Sequence, residues 1–280
     1  MQVLVFGKTG QVASELAARP NVTALARDIA DFSDPEAIIK IIENTKTDII
    51  INAVAYTAVD SSEKAEDLAT VINGTTVAQI AIVAAARNIP FLHISSDYVF
   101  KGNGVKAWKP DDQTNPLSAY GRSKLHGERG VTAAGGPHVI LRTSWVFSSH
   151  GTNFVKTMLG LGLSRETLSI VNDQIGGPTE AADIADALWT IALAFYAGNG
   201  VTDIYHFSGT PNCSWAEFAS EIFLQSHILI KVNPIPSSDF PTLAIRPLNS
   251  RLNCSSLEKD YGIIQPNWRK SLSRVLLNLK

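Results

Sequence analysis

Val3-Leu4-Val5-Phe6-Gly7-Lys8-Thr9-Gly10-Gln11-Val12-Ala13 is a short apolar run, a glycine turn and the start of a segment that continues on a helical period through Leu16 and Ala17. Strand, glycine turn and helix in that order is the first unit of an open α/β sheet. Gly7 permits the tight turn, Gly10 lets backbone approach a pyrophosphate, and Ala13 is small enough for the helix to pack on the strand. The amides that open the helix attract phosphate. The spacing is Gly-x-x-Gly-x-x-Ala, a departure from Gly-x-Gly-x-x-Gly, and its place directly after a strand favours a dinucleotide loop over an ordinary turn.

Outward from that stretch, strand and helix patterns alternate. Val22 to Ala26 reads as the next strand, and where an acid for the cofactor ribose normally stands the chain has Ala26 and Arg27. An arginine there accommodates a 2′-phosphate, so NADP(H) is favoured and NAD(H) remains open. Asp34-Pro35-Glu36 starts a helix, with Asp34 as cap and proline in the first turn. Asp48 to Asn52 is a buried parallel strand by its continuous apolar run, and the small-residue loop Ala53 to Asp60 leaves its carboxyl end, where open α/β sheets bind ligands. A helix carrying Val71, Ala78, Ile82 and Ala86 leads to the strand Phe91 to Ser95, which runs into Ser96-Asp97-Tyr98. A helix after Pro116 and the strand Val139 to Thr143 follow. This alternation predicts a doubly wound parallel sheet of the Rossmann type.

From Ser144 the pattern changes. Helices are expected over Asn153 to Leu163 and Ala181 to Ala197, a turn-rich link over Gln174 to Thr179, and a late strand over Asp203 to Phe207. Capping boxes are read at Ser214-Trp215-Ala216-Glu217 and Ser255-Ser256-Leu257-Glu258. The proline-rich segment Asn233 to Pro247 reads as loops lining a cleft. Residues 1–144 plus about 172–208 are expected to form the dinucleotide-binding domain, and about 145–171 plus 209–280 a smaller α+β substrate domain, with the active site between them.

The 24 Lys and Arg against 26 Asp and Glu leave no electrostatic footprint for nucleic acid or an anionic membrane. Met1 to Gly7 has no cationic leader, and no apolar run approaches the ~20 residues of a bilayer span, so the expected location is cytoplasmic. Cys213 and Cys254 form no metal or redox motif and are expected as small buried hydrophobes without a disulfide.

The chemistry-bearing residues lie at strand and helix ends. Tyr120 and Lys124 are four apart, so on a helix they share one face about one turn apart. An ammonium beside a phenol brings the phenol down from its usual pKa of ~10, and the pair can pass a proton to a developing alkoxide. Ser96, at a strand end, can hydrogen-bond a substrate carbonyl. Arg246 can bind a phosphate bidentately, or sit in a surface ion pair. Each has a plainer structural reading on its own, and their joint presence in one α/β chain weighs against it.

A glycine-rich first turn, Ser-Asp-Tyr after the fourth strand and Tyr-x-x-x-Lys downstream together resemble the extended short-chain dehydrogenases/reductases. Phe6 to Val12, Asn52 to Asp60, Ser96 to Phe100, Arg142 to Val146, Asn172 to Gln174 and Arg246 to Ser250 resemble, more narrowly, the dTDP-4-dehydrorhamnose reductase family, and these blocks run from residue 6 to residue 250. The resemblance implies reduction of the C4 keto group of dTDP-4-dehydro-L-rhamnose, with hydride from a nicotinamide cofactor and a proton from Tyr120. It implies that Lys124 lowers the Tyr120 pKa and holds the cofactor ribose, and that Ser96 steadies the carbonyl. Gly10, Gln11 and Val12 are implied at the pyrophosphate, Asp31 and Phe32 at the adenine end, and Ala55, Tyr56 and Thr57 at the middle of the cofactor. Asp97, Tyr98, Trp145 and Arg246 are implied on the nucleotide-sugar side.

The chain departs from the family in three places. Ser96 stands where threonine is frequent, and Ala13 replaces a glycine. Of three glutamates that hold magnesium between protomers in some members only Glu15 is present, with Ala182 and Asn278 at the others, so no structural magnesium and a monomer or weak homodimer are expected. The competing readings are a reductase or epimerase of another nucleotide keto-sugar, or a catalytically silent cofactor-binding subunit like those that regulate methionine adenosyltransferase. The intact set Ser96, Tyr120 and Lys124 favours an enzyme.

Overall fold

The short apolar runs of the first half become parallel strands. In the structure, a computed structural model that describes residues 1–279, β1 (Val3–Phe6), β2 (Val22–Leu25), β3 (Ile49–Asn52), β4 (Phe91–Ser96) and β5 (His138–Thr143) are the first five. They alternate with α1 (Gln11–Ala17), α2 (Pro35–Asn44), α3 (Val59–Ser62), α4 (Glu66–Thr70), α5 (Thr76–Ala86) and α6 (Ala119–Ala134). The chain continues through β6 (Val146–Phe147), α7 (Phe154–Gly162), β7 (Thr167–Val171), β8 (Ile175–Gly176), β9 (Thr179–Glu180) and α8 (Ala181–Tyr196). It closes with β10 (Asp203–His206), β11 (Cys213–Ser214), α9 (Trp215–Gln225), β12 (Lys231–Ile235), β13 (Asn249–Ser250), α10 (Ser255–Tyr261) and α11 (Trp268–Asn278).

Six strands form one parallel sheet in the order β10-β5-β4-β3-β1-β2, the doubly wound arrangement expected. The order reverses between β1 and β3, and ligands of such sheets bind outside the carboxyl ends at that crevice. Strand residues alternate between two buried faces. Val3, Val5, Ile49, Ile51 and Leu92 pack under α1 and α8, while Leu4, Phe6, Ile50 and Phe91 pack under α2 and α5. A separate apolar cluster, centred on Phe147, Phe218 and Trp268, joins α7, α9 and α11.

Local signals act where they were read. The Asp34 carboxylate accepts from the Ala37 amide, with Pro35 opening α2, and Ser214 and Glu217 close a full capping box on α9. Cys213 and Cys254 are free and buried. Three expectations need correction. Ser255 makes no capping box: α10 begins at Ser255 itself, whose amide and hydroxyl both donate to Asn253 Oδ1. Asn233 to Ile235 are not loop but the end of β12, paired in parallel with β7; Pro234 is tolerated because β12 has only that one strand neighbour. The helical stretch Glu66–Ala86 is, at 21 residues, long and apolar enough to cross a membrane, against the expectation that no run reaches that length; Val77, Ile80 and Ala84 bury it against the sheet.

Candidate active site

Two cavities meet at Tyr98 and Trp145. The smaller, about 460 Å³, lies over the carboxyl ends of β1, β3, β4 and β5. Gly10, Gln11 and Val12 line it from the start of α1, which no side chain caps. Gly7 turns the chain there with φ at +102°, a conformation that favours glycine, and a Cβ would also crowd Ala13 Cβ at 3.2 Å. Gln11 is held by a hydrogen bond from the Ser148 hydroxyl. Ala55 and Thr57 form the opposite wall. That loop is pinned by Asn73, whose side chain accepts from the Tyr56 amide and donates to its carbonyl, at 2.8 and 3.1 Å. Asn73 sits in a π-helical turn, Val71–Thr75, between α4 and α5.

Tyr120 and Lys124 reach this cavity because α6 lies unusually close to its neighbours. A Cβ on Gly121 would stand 2.3 Å from the Tyr98 carbonyl oxygen, and one on Gly127 would stand 2.2 Å from that of Asn73. Ser118 caps the helix through the Gly121 amide. The Tyr120 ring meets Tyr98 edge-on at 5.3 Å, and the Ser96 hydroxyl neighbours its phenol. Ser96 donates in turn to Asp97 Oδ1 at 3.0 Å.

The electrostatics differ from the sequence expectation. Lys124 is fully buried and its amine bonds the Ile94 carbonyl at 2.7 Å and His93 Nε2 at 3.2 Å. Its pKa is lowered to about 8 by burial, with Glu128 acting in the opposite sense. Tyr120 is therefore not pulled down by the lysine. Burial raises it to about 12, the Ser96 hydrogen bond lowers it and the Asp97 charge raises it further, which leaves a protonated phenol able to donate. Asp97 is pushed up to about 6 by burial, with Ser250 and Ser96 hydroxyls opposing. Ser250 lies near, yet no hydrogen bond of normal geometry reaches Asp97 Oδ2, and Ser95 Oγ and Thr143 Oγ1 on the same cavity are also unpartnered. Buried polar atoms left open around a cavity fit a polar ligand such as a nicotinamide nucleotide.

The larger cavity, about 930 Å³, is mostly apolar. Trp145 stacks on Trp215 with ring centroids 3.6 Å apart, and Trp215 Nε1 donates to Gln174. Trp145 holds φ at +51°, rare for a bulky side chain, and lies over Gly176, where a Cβ would come within 2.8 Å of its ring. Arg246 lines this cavity and is gripped by Asp60 through bonds of 2.7 and 3.2 Å. That bond holds the Asp60 carboxyl down at about 2.

The structure thus gathers Gly10, Gln11, Val12, Ala55, Thr57, Ser96, Asp97, Tyr98, Tyr120, Lys124 and Trp145 around the first cavity, with Arg246 on the second. Gly7, Arg27, Asp31, Phe32 and Tyr56 do not line either. Arg27 is exposed beyond β2 and pairs with Asp31 at 3.4 Å, while Asp31 also accepts from the Ser33 amide and hydroxyl. The Phe32 ring is buried edge-on against Phe6. Glu15 faces His150 at 3.2 Å, and among the described residues no three of His, Cys, Asp and Glu gather as a metal site. Sequence reasoning passed over His93, Asn73, Gly121, Gly127 and Asp60, and read Trp215 only within a helix cap. The two glycines inside a helical run were the available signal, since glycine there marks close approach.

The whole chain, residues 1–280, matches the family model described as RmlD substrate binding domain. It is 42% identical to a dTDP-4-dehydrorhamnose reductase of Sinorhizobium fredii, over 99% of this chain and 97% of that one. It is 38% identical to the protein of that name in Escherichia coli K12, over 100% and 98%. The crystal structure of a dTDP-4-dehydrorhamnose reductase from Bacillus anthracis in complex with NADP superposes with a TM-score of 0.93 at 32% identity, covering 99% of this chain and all of that one.

Proposed function

The chain belongs to the RmlD substrate binding domain family, and from that membership we propose that it reduces the C4 keto group of dTDP-4-dehydro-L-rhamnose to give dTDP-L-rhamnose. The observation that carries the proposal is the convergence of Ser96, Tyr120 and Lys124 at one end of β4, beside the uncapped start of α1 and open to a second cavity large enough for a sugar nucleotide. When bound, the nicotinamide cofactor supplies the hydride.

The chain's own residues do the rest. Gly10, Gln11 and Val12 present backbone amides to the pyrophosphate. Lys124 holds the ribose hydroxyls, Ala55 and Thr57 flank the middle of the cofactor, and Tyr56 contributes through its backbone. Asp31 and the backbone of Phe32 stand at the adenine end, with Arg27 as the partner of a 2′-phosphate. Tyr120 donates its proton to the sugar O4 as negative charge develops there, and Ser96 hydrogen-bonds the same oxygen. A phenol raised to about 12 is protonated throughout the neutral range, as a donor must be. Asp97, Tyr98 and Trp145 face the sugar, and Arg246 the phosphates. The dinucleotide-binding domain is residues 1–144 plus about 172–208, and the substrate domain about 145–171 plus 209–280; the separate apolar cluster of α7, α9 and α11 supports that division. The protein works in the cytoplasm, without structural magnesium, as a monomer or weak homodimer.

Oxidation of NADPH and NADH in parallel, on dTDP-4-dehydro-L-rhamnose generated in situ, tests this reading. Turnover to dTDP-L-rhamnose is expected, faster with NADPH. Arg27→Ala is expected to narrow the cofactor ratio by a few-fold, the worth of one exposed charge-assisted contact. No turnover from folded protein that still binds cofactor would overturn it in favour of another keto-sugar or a silent subunit.

A further inference from the structure

His93 stands in the middle of β4, fully buried, with both ring nitrogens engaged. Asn52 Nδ2 lies 3.1 Å from Nδ1 and Lys124 Nζ lies 3.2 Å from Nε2. A neighbour decides the direction of the first contact. The Val54 amide donates to Asn52 Oδ1 at 2.9 Å, so the oxygen of that side chain is turned to the backbone and its NH₂ faces His93. Nδ1 must accept. A neutral imidazole has one N–H, which is then on Nε2 and points at Lys124. An amine can accept that bond, whereas an ammonium has three donors and no lone pair. Moving the imidazole proton to Nδ1 only transfers the conflict to Asn52. The trio is satisfied with Lys124 neutral and frustrated with Lys124 charged.

The surroundings do not relieve the conflict. Burial holds His93 well below its usual range, and an imidazolium would turn a second N–H onto the Asn52 NH₂, so the ring is neutral. Of the other titratable groups, Glu128 on the same helix acts on the amine, and Tyr120 and Asp97 line the same cavity. Glu128 is engaged by Arg142 of β5 through two bonds, of 2.8 and 2.7 Å, so its pull on Lys124 is shared. The second partner of Nζ is the neutral carbonyl of Ile94.

We propose that His93 is a positioning residue for Lys124: through Asn52 it disfavours the ammonium in the free protein, and cofactor ribose hydroxyls, by offering Nζ new acceptors, let the lysine take up a proton from solvent. The proposal rests on the reading of Lys124 as the ribose ligand. Its consequence is that Lys124 becomes a cation only once cofactor is bound.

Two measurements test it. Nitrogen-15 NMR of histidine-labelled free protein near pH 9 is expected to show His93 as the Nε2–H tautomer. Asn52→Asp places a second carboxylate oxygen toward Nδ1, and there the tautomer is expected to invert to Nδ1–H. Calorimetric titration with NADPH at pH 8.5, in two buffers of different ionisation enthalpy, is expected to show uptake of about three quarters of a proton, the neutral fraction of an amine with a pKa of about 8. In Asn52→Asp the uptake is expected to vanish, because Lys124 is already charged. An Nδ1–H tautomer in the unmodified free protein overturns the proposal and needs no variant to fold. So does tight NADPH binding without proton uptake. Failure to bind NADPH at all would instead count against the reductase reading, and the tautomer would still decide the role of His93.

Discussion

The smaller cavity is walled by strand ends and helix starts that follow one another closely along the chain, whereas the larger is walled by side chains from α7, β7, α9 and the segment before β13. The first is lined with buried hydroxyls, a carboxyl and an amine; the second is an aromatic and aliphatic hollow with Arg246 at its edge. The difference separates two kinds of work. On the proposed reaction Tyr120 and Ser96 of the first would act on charge that develops at the sugar oxygen, so their loss should appear in kcat. Groups on the second would grip parts of the substrate that are the same before and during reaction, so their loss should appear in KM.

The sharpest way to break that division is Tyr120→Phe. The variant keeps the ring against Tyr98 and loses the hydroxyl that donates the proton, so kcat is expected to fall by about 10²–10⁴-fold, the usual worth of general acid catalysis, with NADPH affinity unchanged by fluorescence titration. Turnover within a few-fold of the parent would remove the phenol from the chemistry.

A smaller effect is expected from Trp215→Ala, which removes the plane on which Trp145 rests. An aromatic pair contributes about 0.5–1.5 kcal/mol beyond its buried area, so substrate KM should rise by roughly two- to tenfold with kcat and cofactor affinity retained. A matching fall in kcat would show that the larger cavity also orients the reacting carbon.

The least effect belongs to the joint between the two regions, Asp60 and Arg246. Asp60 is partly exposed, so Asp60→Asn should cost no more than about 1 kcal/mol by chemical denaturation near neutral pH. The carboxyl sits at about 2 in the folded protein against 3.8 for the free group, so its stabilising contribution is complete above pH 3.8 and fades as pH falls toward 2. The parent should therefore converge on the variant in stability across that acid window. A constant gap down to pH 2 would mean that packing, not charge, accounts for the difference.

How far each region could be read from sequence follows from the same contrast. The strand-turn-helix at Val3 to Ala13, the capped start of α2 and the position of Tyr120 and Lys124 on one helix are local, and local rules found them. What spacing could not show is where Lys124 points, since desolvation and the His93 contact are set by β4, thirty residues earlier. Phe32 is next to a polar turn in sequence, yet its ring turns inward to Phe6. The partner of Arg246 lies 186 positions away and no pattern links them. β7 alternates exposed and half-buried residues and pairs only with β12, whose proline disguised it, so both strands went unread.

The sheet is finished late. β5 lies between β4 and β10, and β10 is made only after the chain has built α7, β7 and α8, about 60 residues further on. At a synthesis rate of roughly 5–20 residues per second, the nascent chain spends about 3–12 s with the outer edge of β5 unpaired. That edge presents Val139, Ile140 and Leu141, fully buried in the finished protein, as an open template for strand pairing with another nascent chain. Folding in the cell therefore has a window, set by chain order and not by the finished contacts, in which this edge is open to a wrong partner.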